Sequence, residues 1–230
     1  MAFPQVEATN TSFHNGDVTD HIVSLPVGIQ AGETLLVFFG SDGPESVGWP
    51  AGWNEIFEEK NAANTLAVAW RKATGGEGAS ITVTTGNAQR SAHASYRISG
   101  AIDPTSTAPE VSTGATGVDV NPDPDSLTAG GGSKEYLWIA VEGNNDGNKT
   151  VVAYPTNFDS NQLNQTGGFA TGCGVGVATD EVETDTQDPA TFTISDSDQW
   201  VACTVAVYPV EAIPLAGGGG LGALVAAGVI

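Results

Sequence analysis

The chain contains 230 residues, of which 27 are Asp or Glu and only 7 are Lys or Arg, so its formal net charge is −20 at pH 7. Binding to nucleic acids or to anionic membranes depends on surface cations, and this charge balance argues against both. We therefore interpret the acidic excess as a solvated surface, and we predict neither a nucleic-acid partner nor a membrane partner.

The composition favours a fold of short strands joined by turns. The 30 glycines and 40% hydrophobic content come without any long helical pattern of Leu, Glu, Lys and Arg. Cys173 and Cys203 fall in phase with the valines of their own segments, so we interpret them as buried core thiols. A single bridge between neighbouring strands is the alternative. Residues 1–10 show no secretion signal, and we expect synthesis in the cytoplasm.

The first half of the chain predicts an edge strand, a second strand and then a central one. FPQVEATNTSF (3–13) alternates weakly, and its Pro4 suits an edge, where a missing N–H donor costs little. HIVSLP (21–26) predicts a second, separate strand. ETLLVFF (33–39) is apolar without alternation, so we expect both of its faces to be covered and the strand to be central.

Two tryptophans bracket a turn in the loop-rich segment GSDGPESVGWPAGW (40–53). Exposed aromatic rings on loops can stack on sugar rings, so Trp49 and Trp53 are candidate glycan contacts. The alternative is that both rings pack at the end of the fold. The second half of the chain favours this alternative, because Tyr154 and Phe158 occupy the matching places.

The later segments of the first half alternate with the period of a strand. LAVAW (66–70) directs Leu66, Val68 and Trp70 to one face, and the strand is predicted to have one face in the core. SAHASYRI (91–98) directs its alanines and Tyr96 inward and predicts that His93 is an exposed strand residue. The other two histidines, His14 and His21, are predicted to be isolated, with no nucleophile motif nearby.

The second half repeats the first in the same order, although with low identity. The matches are Ser126-Leu127 with Ser24-Leu25, EYLWIAV (135–141) with ETLLVFF, YPTNF (154–158) with WPAGW, CGVGV (173–177) with LAVAW, TFTIS (191–195) with SITVT, and ACTVAV (202–207) with the last strand. The predicted fold is all-β, an antiparallel β-sandwich of the jelly-roll or lectin-like kind over residues 1–210. Its two repeats lie at about 20–100 and 124–210. Two separate small sandwiches are the alternative.

No catalytic, metal-ligating or cofactor-binding constellation emerges from the sequence, and we predict a protein that is not an enzyme and binds no metal or cofactor. The segment EGNNDGN (142–148) is similar to the front of a calcium loop, but its twelfth position is Ala153, where that pattern requires Glu. We interpret it as a turn. A glycosidase would need two carboxylates across a cleft, and no motif singles out a pair.

The last segment, 211–230, is apolar and rich in glycine, and it carries no charge beyond Glu211. The glycine run at 217–220 and the lack of flanking cations argue against a membrane span. An exposed apolar segment normally marks an interface. We predict an assembly tail that docks into a partner through Leu215, Leu221, Leu224, Val225, Val229 and Ile230.

Several of these segments closely resemble a family of structural proteins encoded by tailed phages, especially marine ones, and by related prophages. The resemblance is carried by SLPVGIQAGETLLVFFGSDG, WPAGWNEIF, LAVAWRKATGGEGASITVTT and SAHASYRISGA, and in the second half by SLTAG, LWIAV, AYPTNF, DPATFTIS and QWVACTVAVYP. It covers about residues 20–210, its most specific blocks are WPAGW and ATGGEGA, and the C-terminal tail is not part of it.

The resemblance implies a virion component that is made in the host cytoplasm, and it implies no catalytic residues. Together with the tail, it leads us to expect a capsid decoration, cement or head-spike subunit. The expected partners are major capsid or tail proteins and further copies of the chain, with a trimer favoured. The alternative is the receptor- or glycan-binding head of a tail fibre, which would contact a host surface glycan through Trp49 and Trp53.

Overall fold

The computed structural model describes residues 2–168 and 170–211, and these residues form sixteen β-strands and no helix. The six predicted tail contacts, from Leu215 to Ile230, lie outside the described residues. The strands are β1 Gln5–Ser24, β2 Thr34–Ser41, β3 Val47–Gly48, β4 Asn54–Lys60, β5 Thr65–Lys72, β6 Ser80–Ser99, β7 Glu110–Val111, β8 Ala115–Asp119, β9 Leu127–Thr128, β10 Lys134–Asn144, β11 Val151–Ala153, β12 Ser160–Thr166, β13 Gly174–Thr184, β14 Thr186–Gln187, β15 Thr193–Ile194 and β16 Asp198–Val207.

Two antiparallel sheets of six strands each face one another, which confirms the prediction of an all-β, sandwich-like fold. The first sheet has the order β1-β6-β2-β5-β4, with β3 also paired to β6. The second has the order β12-β13-β10-β16-β7, with β8 also paired to β16. The prediction for residues 33–39 is confirmed, because β2 lies between β6 and β5 and every one of its residues is buried. β1 is an edge strand, as predicted.

The space between the sheets is filled by side chains from both halves, which we call the central core. β6 packs over β13, β2 over β10 and β5 over β16. The first sheet contributes Leu36, Phe38, Phe57, Leu66, Val68, Trp70, Ala92, Ala94, Tyr96 and Ile98, and the second contributes Leu137, Ile139, Val141, Cys173, Val175, Val177, Val201, Cys203, Val205 and Val207.

The two sheets have the same strand order and share local detail. The path β6-β2-β5-β4 of the first sheet matches β16-β10-β13-β12 of the second. The Trp53 amide donates to the Pro50 carbonyl at 3.2 Å, and the Phe158 amide donates to the Pro155 carbonyl at 3.0 Å. The third residue of each turn has positive φ, 86° at Gly52 and 73° at Asn157, as a type II turn requires.

The strand registers and two glycine contacts align the two sheets. Gly40 lies opposite Leu66 and approaches Val175 of the other sheet, and Gly143 lies opposite Val175 and approaches Leu66. Aligning Gly40 with Gly143 pairs Leu36 with Ile139, which is shifted by one residue from the match of ETLLVFF with EYLWIAV. It also pairs Leu66 with Val175, which is shifted by two residues from the match of LAVAW with CGVGV.

Two glycines allow the sheets to approach closely at one end of the central core. A Cβ atom at Gly40 would lie 2.7 Å from Cγ2 of Val175, and one at Gly143 would lie 3.3 Å from Cδ1 of Leu66. These are corresponding contacts, each made by a central strand of one sheet with a neighbouring strand of the other. The sheet separation at this end is therefore set by the absence of two side chains.

The strands β1 and β6 are each 20 residues long, and they pair along their whole length but bend together. The register shifts between His14 and Asp20 mark the bend. Beyond it, residues 18–24 and 80–89 fold back over the outer face of the first sheet, and we call this two-stranded segment the ribbon. The Ser24 amide donates to Ser12 Oγ at 2.9 Å, which joins the two halves of β1. The predicted separate strands at 3–13 and 21–26 are thus one bent strand.

The outer face of each sheet carries its own apolar cluster. The first outer core lies beneath the ribbon and consists of Val23, Leu25, Leu35, Val37, Phe39, Trp53, Ala69, Ala73 and Val83. The second outer core consists of Leu127, Ala129, Tyr136, Trp138, Ala140, Phe158, Ala178, Phe192, Ala206 and Tyr208. The strand at 66–70 is consequently buried on both faces rather than on one.

We expect Gly40→Ala to lower the free energy of unfolding by about 1–3 kcal/mol, because the new methyl group would overlap Val175. Urea unfolding measures the change. In the double variant with Val175→Ala, the two losses should be less than additive, since the second substitution removes the clash. Gly16→Ala is the matched control, because nothing lies within 4 Å of the new atom. Equal effects at Gly40 and Gly16 would contradict the close approach.

Candidate functional site

The three histidines of the chain lie together where the ribbon covers the first sheet. Their ring centroids are 5.7 Å apart for His14 and His21, 6.2 Å for His14 and His93, and 6.4 Å for His21 and His93. The predictions that His14 and His21 are isolated and that His93 is exposed are therefore wrong. His93 does point away from the central core, as its alternation indicates, but it is fully buried because the ribbon covers this face.

Three elements position the buried imidazoles. His93 lies in the middle of β6, directly opposite Ser12 of β1 and Phe39 of β2. The Phe39 ring stacks on the His93 ring at 5.1 Å with an interplanar angle of 16°. His21 comes from the ribbon and meets the same phenyl ring edge-on at 5.2 Å. An apolar ring thus fixes both imidazoles from below.

Hydroxyl groups connect the two buried imidazoles in a continuous series, which we call the histidine–hydroxyl chain. It contains five side chains, and its contacts are Ser12 Oγ with His93 Nδ1 at 2.9 Å, His93 Nε2 with Ser91 Oγ at 2.7 Å, Ser91 Oγ with His21 Nδ1 at 2.7 Å, and His21 Nε2 with Thr85 Oγ1 at 2.9 Å. Each ring nitrogen of both histidines has one hydroxyl partner.

The ends of this chain determine where its protons lie. The Thr85 hydroxyl donates to the Asn87 carbonyl at 2.8 Å, so Thr85 accepts from His21 Nε2–H. His21 Nδ1 then accepts from Ser91, and by the same logic His93 donates through Nε2 and accepts at Nδ1. At the other end, Ser12 accepts the Ser24 amide and donates to His93. Every group is satisfied only when both imidazoles are neutral.

A second proton on either imidazole breaks this pattern. If His21 carried a proton on Nδ1, it and His93 would both donate to Ser91, whose own hydrogen would lose its acceptor. A charge would also be buried without a carboxylate hydrogen-bonded to it. Burial, with a smaller effect of His14, lowers the pKa of His21 to about 4, although Asp20 opposes the shift. Burial, followed by His21 and His14, lowers the pKa of His93 well below its usual value.

Polar side chains of the first half of β1 hold the backbone edge of the ribbon. Asn10, Ser12 and His14 alternate along the strand and so share one face. The Asn10 side-chain amide donates to the Leu25 carbonyl at 2.9 Å, and the Ile22 backbone amide donates to His14 Nε2 at 2.8 Å. These side chains take the place of a neighbouring strand, since the edge would otherwise have unpaired backbone groups.

A second buried polar cluster lies on the outer face of the second sheet. Glu142 and Asn144 belong to β10, so the interpretation of 142–148 as a turn is wrong for its first three residues. Both side chains are buried and lie over glycines of β13, where a Cβ at Gly176 would be 2.7 Å from Glu142 Oε1 and one at Gly174 would be 2.8 Å from Asn144 Nδ2. The glycines make the room that these side chains occupy.

Glu142 is held largely in its protonated form at neutral pH. Burial raises the pKa of Glu142 to about 8, despite a hydrogen bond from Asn144, and Asp198 adds to the shift. The Asn144 Nδ2 atom lies 3.3 Å from Glu142 Oε2, and Asn144 Oδ1 has no hydrogen-bond partner. With the Asn144 amide turned over, Oδ1 would be the acceptor for the proton on Glu142. Among the described residues, no group of three or more His, Cys, Asp or Glu side chains could hold a metal ion.

The two candidate glycan contacts pack against each other and against the first outer core. Trp53 is 8% exposed, and the half-buried Trp49 stacks on it with centroids 6.2 Å apart. Trp49 Nε1 donates to Glu55 Oε2 at 2.7 Å. These contacts match the packing interpretation for Trp53. Glycan contact through Trp49 stays a prediction.

The two cysteines are buried free thiols, which confirms the interpretation given to them. They lie on β16 and just before β13, two strands that flank β10 and do not pair with each other. Burial raises the pKa of Cys203 and, with a smaller effect of Asp42, that of Cys173. Both thiols are therefore inert core side chains at neutral pH.

All seven Lys and Arg side chains of the chain pair with carboxylates within the fold. The pairs are Lys60 with Glu58, Arg71 with Glu77, Lys72 with Asp103, Arg90 with Asp17 and Asp42, Arg97 with Glu7 and Glu33, Lys134 with Glu211, and Lys149 with Asp146 and Asp196. No cation is therefore left over to form a basic patch on the surface.

Comparisons with family models, with curated proteins and with solved structures find no match for this chain. In the part of the chain that the structure describes, no helix is long and apolar enough to cross a membrane.

We expect Glu142→Gln to stabilise the protein at neutral pH. Native Glu142 binds a proton that the unfolded chain releases above about pH 4.5, so wild-type stability falls as pH rises through the window from there to about 8. The advantage of the Gln variant should grow by about 1.4 kcal/mol for each pH unit in that window. Urea unfolding at pH 5, 6 and 7.5 measures it, with the exposed Glu183→Gln as control. An advantage that does not change with pH would contradict the buried proton.

Proposed function

We propose that this protein is a non-enzymatic virion component of a tailed phage, most simply a capsid decoration, cement or head-spike subunit. The proposal includes other virion proteins as partners, a homo-oligomeric state with a trimer favoured, and a final location in the virion. The observation that carries it is the pairing of every cation inside the fold, combined with an uncharged C-terminal segment.

The charge distribution limits how the folded part can attach to anything. Its surface presents an excess of carboxylates, because all seven cations are engaged by acidic partners. Two such surfaces repel each other within the screening length of about 8 Å at physiological salt. Attachment to a protein shell is therefore best supplied by a segment without charge.

The chain offers one such segment. Residues 212–230 contain no charged side chain, and they follow Glu211, whose side chain is 66% exposed and pairs with Lys134 at 2.7 Å. An apolar contact made by Leu215, Leu221, Leu224, Val225, Val229 and Ile230 would be insensitive to salt, unlike an electrostatic one. A decoration subunit needs this property in a salty medium.

We also propose that the two sheets descend from one duplicated unit, joined in a single sandwich of the jelly-roll or lectin-like kind. The equal strand orders, the matching turns at Pro50 and Pro155, and the paired glycine contacts at Gly40 and Gly143 support this origin. Duplication gives a rigid scaffold, which suits a protein that works by shape and by repeated weak contacts.

We expect deletion of residues 213–230 to abolish attachment while leaving the fold intact, because the removed part lies outside the described sheets. The measurement is co-sedimentation of purified chain with phage particles that lack it, at low salt and at 1 M NaCl. Full-length protein should bind equally at both salt concentrations.

A matched control replaces Leu221, Leu224 and Val225 by Ser, which keeps the length and charge of the tail but removes apolar surface. It should weaken attachment nearly as much as the deletion does. A truncated chain that binds and oligomerises like the full chain would refute the role of the tail. Absence of the protein from a reconstruction and from the protein inventory of purified particles would refute the virion assignment itself.

A second candidate function is that of a glycan-binding head of a tail fibre. The observation that favours it is the half-buried Trp49, whose ring lies beside the Glu55 carboxylate. The face of a partly exposed indole ring can stack on a sugar, and a carboxylate beside it can accept hydrogen bonds from the sugar hydroxyl groups. Burial raises the pKa of Glu55, although its bond from Trp49 opposes the shift.

Under this second candidate, we expect Trp49→Ala to reduce binding to host surface polysaccharide at least tenfold. Trp49→Phe is the matched control, because it keeps an aromatic ring against Trp53 and Phe39. Glycan-array or calorimetric binding measures the effect, and thermal unfolding checks that both variants fold. Equal binding by wild type and by Trp49→Ala would exclude a glycan site at this ring.

A further inference from the structure

We propose that the histidine–hydroxyl chain is an acid-sensitive latch that holds the ribbon on the outer face of the first sheet. When His21 and His93 take up protons, the ribbon is released and the first outer core becomes accessible to solvent, while the second sheet stays paired. This inference concerns the fold alone and does not depend on the virion role.

The latch spans two layers that the backbone joins at the bend and, through residues 25–33 and 73–79, at the far end of the ribbon. His21 and Thr85 belong to the ribbon, whereas Ser91, His93 and Ser12 belong to the sheet beneath it. Within the histidine–hydroxyl chain, the contact between these layers is the His21–Ser91 bond at 2.7 Å. The ribbon backbone is also held by Ser12 Oγ, which accepts the Ser24 amide at 2.9 Å, by His14 Nε2, which accepts the Ile22 amide at 2.8 Å, and by Ser95 Oγ, which donates to the Ser24 carbonyl at 2.8 Å. Protonation of His21 disturbs the Ser91 hydroxyl, and protonation of His93 disturbs the Ser12 or the Ser91 hydroxyl.

The charged groups near the latch do not supply a buried counter-ion. Asp20 is exposed and is the one carboxylate that acts on His21, and its attraction is outweighed by burial and by His14. Beneath His93 lies Phe39, which carries no charge. At the bend, the carboxylates of Asp17 and Asp42 are engaged by Arg90 at 3.5 and 3.6 Å.

The remaining neighbours are also engaged. Glu45 accepts a hydrogen bond from the Asn87 amide at 2.9 Å, on the far side of Thr85. His14, half-exposed above the cluster, is the third imidazole, and a charge on it opposes protonation of the other two. Protons therefore enter His21 and His93 only as the ribbon opens.

The rest of the ribbon is built to lift as a unit. Its inward side chains, Val23 and Val83, contact the first outer core, whereas Ile22 is 47% exposed and Thr82 faces solvent. The ribbon has two long strands, to which only the two-residue β3 adds at Thr84 and Thr85, and few buried side chains, so its local stability is lower than that of a six-stranded sheet. At neutral pH the latch and these apolar contacts hold it together.

Hydrogen–deuterium exchange of the full chain between pH 7 and pH 4.5 tests the latch, after correction for intrinsic exchange rates. The opening constant of amides in residues 18–24 and 80–85 should rise about tenfold per pH unit for each histidine that takes up a proton on opening. The effect should begin near the ordinary histidine pKa of about 6.5. Amides of β10 and β16 should change far less.

Two variants sharpen the test. The double variant His21→Gln with His93→Gln keeps a donor and an acceptor on each side chain but cannot be protonated at these two positions. Acid opening of the ribbon should therefore lose the dependence due to His21 and His93 and keep at most the one-proton dependence of His14, which accepts the Ile22 amide. Glu142→Gln is the matched control in the second sheet and should leave acid opening unchanged. Should the double variant fail to fold, the latch is still tested by comparing how acid changes amide exchange in the ribbon and in β10 of the wild-type protein. Equal acceleration in both sheets, or no acceleration in the ribbon, would overturn the latch.

Discussion

Each sheet of this protein carries apolar side chains on both faces, and the two sheets can bury only one face of each against the other. That constraint requires two further layers. In the first half the layer is the ribbon, made by bending β1 and β6 back over their own sheet. In the second half it is made by shorter pieces, including β11 paired with β15 and β14 paired with β9. The outer cores that result contain Phe39 and Trp53 in one half, and Trp138 and Phe192 in the other.

The extra layers also bury polar groups at corresponding places in the two sheets. By strand register, Glu142 occupies the position in β10 that Phe39 occupies in β2, and Ala202 corresponds to His93. One half thus places a histidine over a phenyl ring, whereas the other places a carboxyl group over a glycine. Their linkage to pH has opposite sign. Below about pH 6.5, the His21 side chain binds more protons in the unfolded chain than in the native one. Up to about pH 8, the Glu142 side chain binds more protons in the native chain than in the unfolded one. Acid therefore weakens the first half, and alkali weakens the second.

The sequence predicts the strands well, but not the layer that covers them. Continuous apolar character identifies β2 as central, and alternation places Tyr96 toward the core, because both signals are local. The histidine cluster depends on a bend that brings His21 over His93 and on cross-strand pairing between residues separated by about 80 positions, as for Ser12 and His93. The alternation of apolar and polar residues along one strand does not indicate such a bend. The polar alternation of Asn10, Ser12 and His14 is the one available signal, since three such side chains in a row suit a strand whose face meets backbone groups.

The scarcity of cations explains how they are used. Arg90 pairs with Asp42 and also donates to the carbonyls of Asn15 and Thr171, so it ties the bend to a loop of the second half. Arg97 donates to the Val27 carbonyl and pairs with Glu33, so it ties β6 to the turn that follows the ribbon. With each guanidinium serving as an internal tie, none is left as part of a basic surface patch.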